Sequence, residues 1–170
     1  MSRAALALAL ALLAGCLGST PDEAEAEALG DTDHHFGGEP GPQHRPGQPC
    51  LLCHGFQLAG TVYRFADDRA GVPGARVHVM DGEGRSFTAT TNSSGNFYVT
   101  RGGELEEDDD GEVELPYALA YPLEVEIEHE GIARPMRSRI WREGSCAHCH
   151  GPEVGPDSAG RIVLEDGSAP

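Results

Sequence analysis

The chain has 170 residues and a formal net charge of -16, from 28 acidic and 12 basic side chains. This charge argues against nucleic-acid binding, which requires basic side chains that neutralise phosphates. It also argues against charge-driven docking to anionic lipid, and it favours a basic protein partner.

The first fifteen residues have the features of an export signal. Arg3 precedes a run of alanine and leucine that is too short to span a membrane comfortably. The run ends in Leu13-Ala14-Gly15-Cys16, which resembles the lipobox of bacterial lipoproteins. The resemblance implies removal of residues 1–15, lipidation of Cys16 and anchoring at the cell envelope, on the periplasmic or surface face of an outer membrane. The alternative is an ordinary signal peptide with an incidental cysteine at position 16.

Residues 16–49 are predicted to be a disordered tether. They combine low hydrophobicity with acidic residues, proline and glycine, a composition that buries too little apolar surface to fold. The Glu-Ala stretch within them favours at most a transient helix, because it offers no apolar face.

One pentapeptide motif occurs twice, in segments 50–55 and 141–166. Cys50-Leu51-Leu52-Cys53-His54 and Cys146-Ala147-His148-Cys149-His150 both read C-x-x-C-H. Residues three and four apart share one face of a helical turn, so two cysteines can reach the two vinyl groups on one edge of a porphyrin. The motif is the attachment signature of c-type haem, with the histidine as proximal iron ligand. The sequence therefore predicts two covalent haem groups, with thioether bonds from Cys50, Cys53, Cys146 and Cys149 and iron ligation by His54 and His150.

Other uses of paired cysteines fit this spacing less well. A zinc ribbon separates its two C-x-x-C pairs by about 15–20 residues, whereas more than ninety residues separate these two. A thioredoxin-like motif requires a βαβ context, and a structural disulfide requires neither the histidine nor the repetition. The alternative that stays open is a structural β-sandwich lipoprotein with zinc at its C-x-x-C pairs.

Residues 56–140 show the alternation of short β-strands. Strands are predicted within 57–65, 75–80, 86–91, 96–100, 123–129 and 132–134, separated by turns that contain glycine. Residues 161–164 are predicted to add a last strand. Short strands at regular spacing predict a mainly β protein, an antiparallel β-sandwich flanked by two short haem-binding segments.

Three stretches of this region resemble a known module. Gly60-Thr61-Val62, Gly74-Ala75-Arg76-Val77 and the run from Thr90 to Phe97 are similar to the carboxypeptidase regulatory-like, transthyretin-like β-sandwich. The resemblance covers residues 57–100 and, more loosely, about 117–135. It implies a fold and no activity, because the matching residues form turns and core. Taken whole, the chain resembles exported bacterial cytochromes in which this sandwich lies between two C-x-x-C-H motifs, which implies electron transfer.

The sequence also contains an acidic loop at residues 104–114. Eight of its side chains are acidic, and a charge block of this density is typical of a solvated loop. One alternative is a docking surface for a redox partner, either a basic protein or another cytochrome. The other alternative is a Ca²⁺ site. The EF-hand pattern with its distal glutamate is absent, which argues against calcium.

The motifs leave the sixth iron ligand open. His129 lies at a strand end on the same face as Val125 and Ile127, and His44 lies six residues before Cys50. Met136 lies ten residues before Cys146. For each of the three, the alternative is a purely structural side chain or a solvated one. A filled sixth position implies electron transfer, whereas a vacant one would permit a haem-based peroxidase or sensor.

The sequence also leaves the separation of the two haem groups open. A strand of about eight residues spans roughly 26 Å. The two groups would be about that far apart if the motifs lay at opposite ends of the sandwich, and adjacent if the motifs met at one end.

Overall fold

The computed structural model describes residues 24–25, 27–28, 41, 43–102, 106–107 and 111–167. The predicted export signal, Cys16 and much of the predicted tether lie outside this set. The chain divides into two units, residues 1–31 and 32–170. In the first unit the four described residues, Ala24, Glu25, Glu27 and Ala28, are helical. No helix in the described parts of the chain is long and apolar enough to cross a membrane.

The described part of the second unit is mainly β, as the sequence predicts. Its helical segments are two short turns, a 3-10 turn at Cys50–Leu52 and an α-helical turn at Cys146–Cys149. The strands are β1 (Leu58–Tyr63), β2 (Arg76–Met80), β3 (Ser86–Thr90), β4 (Asn96–Arg101), β5 (Glu106–Glu107), β6 (Glu112–Leu115), β7 (Glu124–His129), β8 (Ile132–Pro135), β9 (Val154–Gly155), β10 (Ser158–Ala159) and β11 (Ile162–Val163).

The strands form a five-stranded sheet, a four-stranded sheet and a small hairpin. The orders are β11-β1-β4-β6-β5, β3-β2-β7-β8 and β10-β9. Most neighbours are antiparallel, as expected, but β1 pairs with β11 and β4 pairs with β6 in parallel. The second parallel pair arises because β5 runs antiparallel to β6 and lies between β4 and β6 in the chain. The chain therefore reverses twice before β6 and runs beside β4 in the same direction.

Alternating side chains of both large sheets form one apolar core. Val77 and Val79 of β2 are 0% and 2% exposed, and Phe97 and Val99 of β4 are 1% and 0% exposed. These residues belong to a single cluster of contacting buried side chains. Strand β1 departs from the alternation, because all six of its residues are buried. Both faces of β1 are therefore covered, and the chain segments around the two motifs lie beside it.

The end of the predicted acidic loop is a strand. Residues 112–115 form β6, which pairs with β4, and Val113 and Leu115 are buried. The acidic residues mask an alternating pattern in this stretch, since Glu112 and Glu114 lie on the other face from the two apolar side chains. The side chains of residues 103–110 lie outside the described set.

Candidate haem-binding sites

The fold brings the two C-x-x-C-H motifs, far apart in the chain, to the same strand. The turns Cys50–Leu52 and Cys146–Cys149 both lie against β1. Just before the second motif, the N–H of Ala59 donates to the carbonyl of Gly144 at 2.9 Å. A Cβ atom on Gly60 would lie 2.9 Å from the Cβ atom of Cys146. Of the two arrangements that the sequence leaves open, the described residues have the motifs side by side.

All four motif cysteines are free thiols, and they form two classes. Cys53 and Cys149 are exposed, whereas Cys50 and Cys146 are partly covered. Burial raises the pKa of Cys50 to about 11, with a smaller contribution from Cys53. Burial, followed by the nearby Cys50, raises the pKa of Cys146 to about 12. These raised pKa values favour the neutral thiol at the first cysteine of each motif, and Cys146 also packs against the apolar core.

This difference predicts unequal thiol reactivity in the haem-free chain. We expect Cys146 to react with an aromatic disulfide reagent at pH 8 about 30-fold more slowly than a thiol of ordinary pKa. The raised pKa of Cys146 lowers its thiolate fraction by about three orders of magnitude. A thiolate of higher pKa is also more nucleophilic, which offsets about half of this loss in the logarithm of the rate. Timed quenching and peptide mass spectrometry measure each rate, with the exposed Cys149 as internal control. Equal rates at Cys146 and Cys149 would contradict the described burial.

The second motif holds its terminal histidine in a defined orientation. The N–H of His150 donates to the carbonyl of Cys146 at 2.9 Å, which closes the helical turn. The ring Nδ1–H of His150 donates to the carbonyl of Gly160 at 2.8 Å. This bond leaves Nε2 as the acceptor nitrogen. A histidine that binds a metal commonly donates its other ring N–H to a carbonyl in this way.

Residues 151–160 support that carbonyl. The Ser158 hydroxyl oxygen accepts the N–H groups of Gly151 at 3.0 Å and Gly160 at 3.1 Å. Apolar side chains are exposed on both flanks of the motif in sequence, with Trp141 68% and Val154 82% exposed.

The first motif places its histidine in an aromatic cluster. The ring of His54 stacks on Phe56 with centroids 4.9 Å apart, and Phe56 packs on Tyr98 at the same separation. Burial, followed by the neighbouring His44, lowers the pKa of His54 below its ordinary value. A lowered pKa favours the neutral imidazole, which is the form that binds a metal.

A chain of hydrogen bonds ties residues 44–47 to the five-stranded sheet. The N–H of Gly47 donates to the Thr61 hydroxyl at 2.7 Å, and that hydroxyl donates to Asn96 Oδ1 at 2.7 Å. The Asn96 side-chain amide then donates to the carbonyl of His44 at 3.1 Å. Thr61 and Asn96 are cross-strand partners and are both buried. These contacts hold the chain that leads into Cys50 against β1.

Sequence reasoning missed Thr61 and Asn96 as site residues. The only sequence signal for these two site residues is a polar residue beside apolar strand residues. This signal becomes informative only once the pairing of β1 with β4 places Thr61 opposite Asn96. The last residues of the predicted tether, 43–49, are bound to the sheet through this pair.

The three candidates for the sixth ligand lie in different places. The ring of His44 lies 5.7 Å from the ring of His54, centroid to centroid. His129, at the end of β7, has its Nε2 atom 3.9 Å from a carboxylate oxygen of Glu130. Met136 lines a groove of about 630 Å³ over the four-stranded sheet, together with His78 and Met80. Of the three, His44 is the one in contact with a motif histidine.

His148 lies between the cysteines of the second motif, and its ring, like that of His150, is oriented by a hydrogen bond at Nδ1. Its Nδ1–H donates to the carboxylate of Glu143. Its Nε2 atom is buried and has no hydrogen-bond partner among the described residues. Within the same part of the chain, no three or more His, Cys, Asp or Glu side chains are grouped so as to hold a metal ion.

Comparisons of the chain with protein families, with curated proteins and with solved structures found no match. The two motifs and the contacts of their residues are therefore the features that point to a function.

Proposed function

We propose that this protein is a dihaem c-type cytochrome that transfers electrons at the bacterial cell envelope. The observation that carries the proposal is the pair of C-x-x-C-H motifs. Their four cysteines are free thiols, and the turns Cys50–Leu52 and Cys146–Cys149 lie against one strand. A helical turn begins at the first cysteine of each motif, which favours placing residues three and four apart on one face.

The donor set fits covalently bound haem. Cys50, Cys53, Cys146 and Cys149 would hold haem by adding their S–H groups across its vinyl groups, which would form thioethers without any oxidant. His150 presents Nε2 because Nδ1 is bonded to Gly160, and the aromatic contacts of His54 hold its ring beside the first motif. The bound haem supplies one-electron redox chemistry. The chain would attach and orient this haem, and His54 and His150 would be its proximal ligands.

We also propose that the two haem groups exchange electrons directly. The shared contact of both motifs with β1 supports this, together with the effect of Cys50 on the thiol of Cys146. The scaffold in this proposal is a carboxypeptidase regulatory-like β-sandwich. The common core of the two large sheets supports that part of the proposal.

The location in the cell follows from sequence features outside the described residues. A lipid on Cys16 would anchor the chain to the outer membrane, and acyl chains anchor a protein without making it span the bilayer. The net charge of -16 favours a basic redox partner, which includes another cytochrome. The acidic stretch at residues 104–114 is the proposed docking surface for that partner.

The test is an absorption spectrum of the purified chain, oxidised and then reduced. The full chain is expressed for export in a host that matures c-type cytochromes, and the spectrum is repeated after denaturation. We expect two haem groups per chain that survive denaturation, and one per chain when either cysteine pair is replaced, Cys50/Cys53→Ala or Cys146/Cys149→Ala. Bound zinc without iron would overturn the proposal in favour of structural zinc at the C-x-x-C pairs.

A further inference from the structure

We propose that His44 is the sixth ligand of the iron that His54 binds, so that the first haem has two axial histidines. The inference rests on the proposed function, because it requires haem at the first motif. It adds the identity of the distal ligand and, with it, the chemistry open to that haem.

The separation of the two rings fits one metal ion between them. An imidazole nitrogen binds a metal at about 2.0 Å, and the ring centre lies about 1 Å behind that nitrogen, so two imidazoles on opposite sides of one ion have centres about 6 Å apart. The centroids of His44 and His54 are 5.7 Å apart. The interplanar angle is 61°.

The hydrogen bonds of His44 leave the correct nitrogen available. Its Nδ1–H donates to the carbonyl of Gly41, so Nε2 is the acceptor nitrogen. Its own carbonyl accepts the Asn96 amide, and the neighbouring Gly47 is bonded to Thr61. The backbone of His44 is thus fixed to β1 and β4, and its ring is fixed by Gly41. A ring oriented by a carbonyl on one nitrogen is the arrangement expected of a metal ligand.

Other described histidines outside the motifs lack this combination. His78 uses both nitrogens, with Nδ1 2.9 Å from the Thr88 hydroxyl and Nε2 3.4 Å from the Glu128 carboxylate. His129 has Nε2 beside Glu130. Among the described residues, His44 combines a bonded Nδ1 with a ring contact to a motif histidine. Asn96 acts as a positioning residue for it.

Two histidine ligands would make the first haem an electron carrier. A filled sixth position excludes peroxide and small ligands from the iron, so any ligand-binding chemistry of this chain would belong to the second haem. The two motifs would then have different roles, although their sequences are alike.

The test is the spin state of the iron in the full-length, haem-loaded protein. We expect His44→Ala to convert one haem per chain from low to high spin in the absorption and electron paramagnetic resonance spectra. Added imidazole is expected to restore the low-spin signal, because it can occupy the vacated position. His129→Ala and Met136→Ala are matched controls for the other two candidates. Tested in a chain whose second haem is removed by Cys146/Cys149→Ala, they are expected to leave the low-spin signal of the first haem unchanged.

The outcomes separate this inference from the proposed function. Absence of covalent haem in the wild-type chain would overturn the proposed function, and the inference with it. Two haem groups per chain with an unchanged spin state in His44→Ala would overturn the inference alone, as would a spin change at the first haem in either control. If His44→Ala does not accumulate, His44→Met provides the second variant. It is expected to keep the low-spin state and to raise the potential of one haem, and unchanged potentials would overturn the inference.

Discussion

Replacing Gly60 with alanine is expected to lower the covalent haem content from two groups to one per chain. A Cβ atom at this position would lie 2.9 Å from the Cβ atom of Cys146, 3.0 Å from its sulfur and 3.0 Å from Cε1 of Phe97. Phe97 is 1% exposed, so its ring has no free space to move into. The cysteine must therefore shift away from β1, and overpacking of this kind costs about 1–3 kcal/mol.

The effect on haem is expected to be confined to the second motif. We would measure haem per chain from the absorption of the denatured, reduced protein, and assign each haem by mass spectrometry of its peptide. Gly155→Ala is the matched control, because Gly155 follows the same motif and an added Cβ atom there has no neighbour within 4 Å. Retention of both haem groups in Gly60→Ala would show that the position of Cys146 against β1 does not matter for attachment. Loss of haem in Gly155→Ala would contradict the stated cause.

Strands such as β2 were predictable from the sequence because one of their faces is buried. In β2, Val77 and Val79 are buried and alternate with residues that are at least partly exposed, so the period-two pattern is visible in the sequence. In β6 the same alternation is set among a run of acidic residues, and the stretch therefore resembles a loop. The parallel pairing of β6 with β4 was not predictable, because strand pairing depends on how the chain returns and not on local pattern.

The candidate site was predictable to a similar extent. The spacing within C-x-x-C-H predicts which residues would attach haem, because that chemistry is local to one helical turn. The side-by-side placement of the motifs depends on contacts with Gly60 and Ala59, and no local pattern contains that information. The choice between His44, His129 and Met136 depends on the same long-range packing. The sequence alone left that choice open.

Replacing Asp81 with alanine is expected to lower the free energy of unfolding by about 2–4 kcal/mol at pH 7. The carboxylate is 4% exposed and lies in the turn between β2 and β3. Oδ1 accepts the N–H groups of Glu83 and Arg85 at 3.0 Å each. Oδ2 accepts the Arg85 guanidinium at 2.8 and 2.6 Å and the N–H of Ala120 at 3.3 Å. Alanine would leave several partly buried donors without this acceptor.

The same carboxylate gives the effect a pH dependence. Burial raises the pKa of Asp81. The hydrogen bonds from the Arg85 guanidinium and from backbone N–H groups lower the pKa by a larger amount, so the net pKa is below its ordinary value. A group with a lowered folded-state pKa stabilises the fold above its unfolded value of about 4, and that contribution is lost as the pH falls. The difference in unfolding free energy between wild type and Asp81→Ala should therefore shrink below about pH 4.

Urea denaturation followed by circular dichroism at pH 7 and pH 3 measures both quantities. Glu83→Ala is the matched control, because Glu83 lies in the same turn and also pairs with Arg85, at 3.1 Å, but its side chain is 65% exposed. An exposed ion pair of this kind contributes about 0–1 kcal/mol, so the control should remain close to wild type. Equal losses in the two variants would show that the charge near Arg85, and not the buried set of hydrogen bonds, is what stabilises the turn. An Asp81→Ala loss of the same size at both pH values would contradict the lowered pKa of Asp81.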